Sequence, residues 1–155
     1  MLAVSKNRGE TWSKPIQVNQ GPKTTTFPWI VAGDAGRIDI VYYGIVSTGP
    51  SPETVPDSAT WRVYMAQSVN SLAAKPTFTE SAATPAIHKG KICTSGTGCS
   101  AGTRDLLDFF QIDVDRRGNA NIAYTDNLNT PADGSDPHQE WVTFVQQKDG
   151  TRLFK

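Results

Sequence analysis

"FPWIVAGDAGRIDIVYYG" (27–44) lies without a gap over "FFQIDVDRRGNANIAYTD" (109–126). Phe27 falls on Phe109, Ile30 on Ile112, Gly36 on Gly118, Ile40 on Ile122 and Tyr42 on Tyr124. Each copy reads as two strands joined by a tight turn, "GDAG" or "DRRG". Gly36 and Gly118 supply the positive φ that such hairpin turns require. Along the second strand Ile38, Ile40 and Tyr42 alternate with Arg37, Asp39 and Val41, the period of a half-buried strand. Ala120, Ile122 and Tyr124 keep that phase in the second copy.

A third strand follows in each copy, "WRVYMAQS" (61–68) and "EWVTFVQQ" (140–147), with Val63 and Met65 matching Val142 and Phe144. A polar turn and a fourth strand with the pattern K-P-apolar come next. "SVNSLAAKPTFTE" (68–80) is a worn version of "SKNRGETWSKPIQV" (5–18), and "QKDGTRLF" (147–154) is a candidate third copy. The repeat unit is thus four antiparallel strands. The chain parses as the last two strands of one unit (1–19), a whole unit (27–80), a crossover loop (81–107) and a second near-complete unit (108–155). Four-stranded units in tandem point to an all-β fold, a β-propeller segment of about two and a half blades. A sandwich of about ten strands competes, but it gives no reason for a four-strand module to recur in phase.

Composition agrees with an all-β chain rich in turns. The 155 residues suffice for one domain with a core. Fifteen Lys+Arg balance fifteen Asp+Glu, so the total charge recommends neither a nucleic-acid groove nor an anionic membrane surface. No apolar run approaches the roughly 18–20 residues of a membrane span. The start, "MLAVSKN", lacks the basic and apolar regions of a secretion signal, so any such signal is expected to be absent or removed. Cys93 and Cys99 in "CTSGTGC" lack the further ligands of a tetrahedral zinc set, although His88 is near. A small disulfide-closed loop in an exported, secreted or cell-surface protein is the preferred reading, against two free thiols in a cytosolic one.

"SKNRGETW" (5–12) resembles the Asp-box, or BNR, repeat S-x-D-x-G-x-T-W of sialidases and sialidase-like β-propellers. Ser5, Gly9, Thr11 and Trp12 match, and Asn7 stands where that family usually has Asp. The resemblance implies a turn between the third and fourth strands of a blade, folded by its own polar side chains, with Trp packing between strands. The residue types suit that role, because Ser and Asn side chains bond nearby backbone and Gly takes the strained position. The box is therefore expected to be a structural fastener. For a sialidase proper the resemblance implies an arginine triad, a Tyr nucleophile assisted by Glu and an Asp acid/base. No Phe/Tyr-Arg-Ile-Pro segment is present, and Tyr42 and Tyr124 fall in phase with the apolar face.

Turns of an antiparallel meander alternate between two ends of the sheet. Here the long connections, 44–60, 81–107 and 126–139, share one end, and long loops on a rigid scaffold are where binding and catalysis concentrate. Arg104, Asp105 and Asp108 are the catalytic candidates, an arginine for an anionic sugar beside carboxylates for proton transfer. The alternative is a local salt-bridged turn in "RDLLD" leading into a strand. His88, Asp126, Asn127 and Trp141 are the ligand-binding candidates. Trp29, Trp61 and Trp141 suit sugar stacking or, more commonly, packing between blades. Asp133 and Asp136 in "ADGSDP" suit calcium or, more commonly, an Asx-rich turn; His138 lies in the same loop, and no other cofactor is expected.

The expected function is an exported Asp-box propeller segment that recognises glycan or protein through its long-loop face. Its rivals are part of a sialidase-like exo-glycosidase and a structural piece of a larger surface assembly. A ring needs about four blades, so the remaining ones are expected from a longer parent chain or from self-association.

Overall fold

The computed structural model describes residues 1–47, 49, 51–106, 109–129 and 140–155. They form an all-β structure of two antiparallel sheets. In the first, β1 (Thr24–Ala32), β2 (Ile38–Ile45), β3 (Thr60–Ser68) and β4 (Thr79–Ala82) follow one another as a meander. A two-residue strand, β5 (His88–Lys89), pairs with the start of β3, beyond the stretch that β4 covers. The second sheet orders β6 (Gln111–Val114), β7 (Ala120–Asp126) and β8 (Trp141–Gln146) in the same way. Among the described residues the only helical turn is a 3-10 turn at Gly96–Gly98.

The predicted hairpins form where the sequence places them. Gly36 and Gly118 take φ of 79° and 78°, and equivalent backbone bonds close both turns, Gly33 N to Arg37 O and Asp115 N to Asn119 O. β1 pairs with β2 on both sides of an irregularity between Thr26 and Trp29, where Phe27 has a φ of 50°. Residues 1–19 form a looser pair held by the Leu2–Ile16 bridge.

The fastener reading of "SKNRGETW" agrees with the bonds in that turn. Ser5 Oγ donates to Asn7 Oδ1, which also accepts the Thr11 amide, while Gly9 N donates to Ser5 Oγ. Trp12 Nε1 donates to the Gly9 carbonyl. The worn copy keeps the device. Ser68 Oγ donates to Asn70 Oδ1, and that oxygen accepts both the amide and the hydroxyl of Thr77. The turns share the Ser-to-Asn bond and the Thr amide on the Asn oxygen, but Asn and Thr are four residues apart in the first and seven in the second, and the Thr hydroxyl accepts from Asn7 Nδ2 in the first. The third candidate copy differs: Gln147 Nε2 folds that turn by donating to the carbonyls of Asp149 and Thr151.

Stacking explains the core. On one face of the first sheet Ile38, Ile40, Tyr42 and Ala66 pack with Val18, Leu2 and Phe78. On the other, Val41, Tyr43, Trp61 and Val63 pack against Phe110, Ile112, Ala120, Ile122 and Tyr124 of the second sheet. Repeat-equivalent residues therefore face the same way. Ile40 and Tyr42 look toward the preceding segment, as Ile122 and Tyr124 do. Tyr43 bridges the sheets: its ring stacks on Phe110 at a centroid distance of 4.3 Å, and its hydroxyl accepts the Thr125 amide. That amide lies past the end of β6, so the phenol replaces a strand partner. Burial pushes the Tyr43 hydroxyl up to about 12.

Two expectations need correction. The strand 38–45 is not half-buried; all eight residues are buried, because the second sheet covers the face that would otherwise meet water. Asp39 consequently lies in the interior. Its Oδ1 accepts Gln67 Nε2, while its Oδ2 has no partner among the described residues. In the second unit Asn121 and Gln146 form the same cross-strand pair, Gln146 Nε2 donating to Asn121 Oδ1 at 2.9 Å. The second correction concerns 147–155, which forms no fourth strand. Instead it crosses the hairpin end of both sheets. The fully buried Leu153 donates its amide to Gly118 O and accepts the Asp34 amide, so it sits between the two repeat turns. Arg37 donates to Arg152 O and Gln67 Nε2 to Thr151 O, and both bonds hold the crossing segment down.

Candidate functional site

At the end opposite the hairpin turns, described residues of the connections 44–60 and 81–107 pack into a cap. Val55, Ala59, Ile87, Ile92 and Leu106 extend the main core into it. Trp61, offered above as a sugar platform, is fully buried, with its Nε1 bonded to Gly90 O at 2.8 Å. It is a core residue, unlike Trp29, which is 46% exposed.

Cys93 and Cys99 are joined in a disulfide. Glu53 anchors the loop it closes: its carboxylate accepts the Thr94 amide and hydroxyl and the Ser95 hydroxyl. These donors, the amide first, hold the Glu53 carboxyl below its ordinary value. Glu53 was missed because, within "GIVSTGPSPETVPDSAT", nothing separates it from an ordinary polar loop residue. Replacing both cysteines by serine removes a crosslink between residues six apart. By loop-closure entropy this costs about 2 kcal/mol, read as a lower urea midpoint with unchanged m-value.

Three of the candidates meet. His88 Nδ1 lies 2.8 Å from Asn127 Oδ1, and Asn127 Nδ2 donates to Asp105 Oδ1 at 3.2 Å. Because the far end of the amide must donate to a carboxylate, its oxygen faces His88, and His88 Nδ1 carries the hydrogen. The imidazole is 5% exposed, and its Nε2 lies 3.3 Å from Lys91 O. Asn127 N also donates to Ile87 O. One chain of bonds thus ties the β5 turn, the end of β7 and the segment entering β6. Asn127→Ala leaves a buried imidazole N–H and the facing carboxylate oxygen without this partner. The expected loss is roughly 1–3 kcal/mol, measured by thermal or urea unfolding.

Asp126 serves a local turn: Oδ1 accepts the Leu128 and Asn129 amides and Oδ2 accepts Asn129 Nδ2. Trp141 stands opposite Asp126 across β7 and β8, and its indole N–H is buried with no acceptor among the described residues. Arg104 is exposed beside Asp105. Leu106, fully buried with a φ of 64°, donates its amide to Glu140 Oε1. Asp108, Asp133, Asp136 and His138 lie outside the described residues. Among the described residues no group of three or more His, Cys, Asp and Glu side chains is placed to hold a metal ion, and no helix is long and apolar enough to cross a membrane.

Chemically, this end offers a braced surface. The imidazole, amide and carboxylate are committed to one another, which fixes geometry rather than leaving a nucleophile beside a base. No family model, curated protein or solved structure matches the chain.

Proposed function

We propose that the chain is an exported segment of an Asp-box β-propeller that recognises a glycan or a protein through its loop end. The observation that carries the reading is the stacking sense of the repeat. Ile40 and Tyr42 of one unit, and Ile122 and Tyr124 of the next, face the segment before them. Successive blades around a propeller repeat in this manner. The Ser-x-Asn turn, present twice with the Ser hydroxyl and a Thr amide both bonded to the Asn oxygen, supports the Asp-box assignment, and the disulfide is compatible with an oxidising compartment.

The loop end supports recognition better than turnover. Its candidate side chains bond one another and brace a disulfide-closed rim, as expected of a preorganised binding surface. The outer face of the second sheet bears on the missing blades. Phe109, Val142 and Phe144 are 74%, 75% and 62% exposed, whereas their counterparts Phe27, Val63 and Met65 pack into the core shared with the second sheet. A further blade would stack there.

The test is a glycan array probed with the chain, together with a fluorogenic sialoside assay. Binding without turnover, lost in Trp141→Ala and Asp105→Asn variants that still melt cooperatively, is the expected result. Turnover abolished by Arg104→Ala would replace this reading with the glycosidase one. Neither binding nor turnover would leave the chain as a structural piece.

A further inference from the structure

The hairpin-turn end lies away from the loop end discussed above. It holds two depressions. One lies between the two Ser-x-Asn turns and is lined by Lys6, Trp12, Lys14, Ile16, Leu72 and Pro76 among others. The second lies where the 115–119 hairpin meets the turn after β8, with Arg116, Arg117, Lys148 and Arg152 around it. Backbone bonds join the turns between them: Ser71 N to Gly36 O, Asp34 N to Leu153 O and Leu153 N to Gly118 O. The two depressions therefore belong to one continuous end of the molecule.

Six of the chain's 15 Lys and Arg residues line these two depressions. One carboxylate, Asp115, lines them too, and it is spent on its own hairpin, accepting the amides of Arg117 and Asn119 and the Asn119 side chain. Among the described residues the ion pair is Lys91–Asp57, at the other end. The zero net charge thus hides two depressions lined by cations, while Glu10, Asp34 and Asp149 stand in the neighbouring turns outside both linings. Like charges gathered around a depression are screened by water and ions, and they gain from a polyanion that replaces these.

The first depression narrows the ligand. Trp12 is 65% exposed, and Leu72 on the other side is 47% exposed. The Trp12 Nε1 bond to Gly9 O pins the indole, so no side-chain order is lost when something stacks on it. One indole facing aliphatic groups and flanked by lysines suits the C–H face of a sugar ring that carries an acidic substituent. Single-stranded nucleic acids are instead read by successive aromatic platforms, and Trp12 is the sole aromatic residue in either lining. We propose that this end binds an acidic polysaccharide, sulfated or carboxylated, with Trp12 as the stacking platform and the six cations as partners for its charges. This surface is distinct from the loop end invoked above, and its failure would leave that reading untouched.

The experiment titrates a fluorescent heparin oligosaccharide with the full chain. Expected are saturable binding at about 50 mM salt and at least a tenfold weakening at about 300 mM. Arg116→Glu with Arg117→Glu should lower affinity at least tenfold, and Trp12→Ala at least threefold, each with its melting transition retained. Should Trp12→Ala unfold the hairpin, Lys6→Gln with Lys14→Gln provides the reading of that depression instead, with the same threefold loss expected. Lys23→Glu with Lys89→Glu, at the loop end, should bind within twofold of the parent chain. Three results would overturn the proposal. One is no binding at low salt, and another is loss confined to the loop-end variant. The third is a polyphosphate or oligonucleotide competing as tightly as heparin with no effect of changing the first depression.

Discussion

Gly118→Ala is expected to destabilise the protein by about 3–5 kcal/mol, while Gly36→Ala, at the equivalent turn, costs only about 1–2 kcal/mol. The two glycines have nearly the same φ, so the left-handed strain of an added Cβ is common to both. Their surroundings differ. A Cβ at Gly36 would come no nearer than 3.8 Å to Leu72, whereas at Gly118 it would lie 2.3 Å from the Phe154 amide nitrogen and 2.9 Å from that of Leu153. The difference between the variants therefore reports the crossing segment alone. Relief requires that segment to move, which gives up the burial of Leu153, itself worth roughly 2–5 kcal/mol by comparison with Leu→Ala changes in cores. The check is urea unfolding of both variants, alone and combined with Leu153→Ala. Gly118→Ala and Leu153→Ala should be strongly non-additive, because either one loosens the same contact.

Asp39→Asn is expected to stabilise the protein at neutral pH, by at most about 3 kcal/mol. Burial pushes the Asp39 carboxyl up to about 6, against 3.8 ordinarily, with Gln67 and Arg37 opposing the shift. The folded chain therefore holds a proton on Asp39 over a range where the unfolded chain has released it. Its contribution is neutral below about pH 3.8, and stability declines as the pH rises toward and past 6, where the interior must hold an unneutralised carboxylate. The variant should thus match the parent near pH 3.5 and pull ahead above pH 5. The second unit shows how asparagine is accommodated: Asn121, at the equivalent position, accepts from Gln146 and donates to Asn119 O. Melting temperatures across pH 3.5–8 measure the effect. Curves offset equally at all pH values would contradict it.

The same residues show what the sequence could disclose. Both hairpins, their strand phases and the Ser-x-Asn turn were legible, because strand periodicity, turn glycines and side-chain-to-backbone bonds act over a few residues. Asp39 was misjudged as an outward residue, because the sheet that buries it begins some seventy residues later, at Gln111. Leu153 looked like part of a fourth strand, and nothing local says that it lodges between two turns. At the loop end, His88, Asp105 and Asn127 were each singled out by chemical type, but their linkage depends on three separated segments converging. Glu53 has no distinguishing neighbour in the sequence. The cation-lined depressions were hidden by a net charge of zero, since such a grouping becomes visible only when the chain's turns are assigned to one end.

The account rests on units that stack in one sense, so that β2 is an inner wall on both faces and the second sheet is covered on one. Native-state hydrogen exchange tests this most directly. The hydrogen-bonded amides of Ile38–Ile45 should exchange only through global unfolding, whereas those of Trp141–Gln146, whose outer face carries the exposed Val142 and Phe144, should open locally with a lower free energy. Equal protection in β2 and β8, or local opening of β2, would contradict the stacked arrangement.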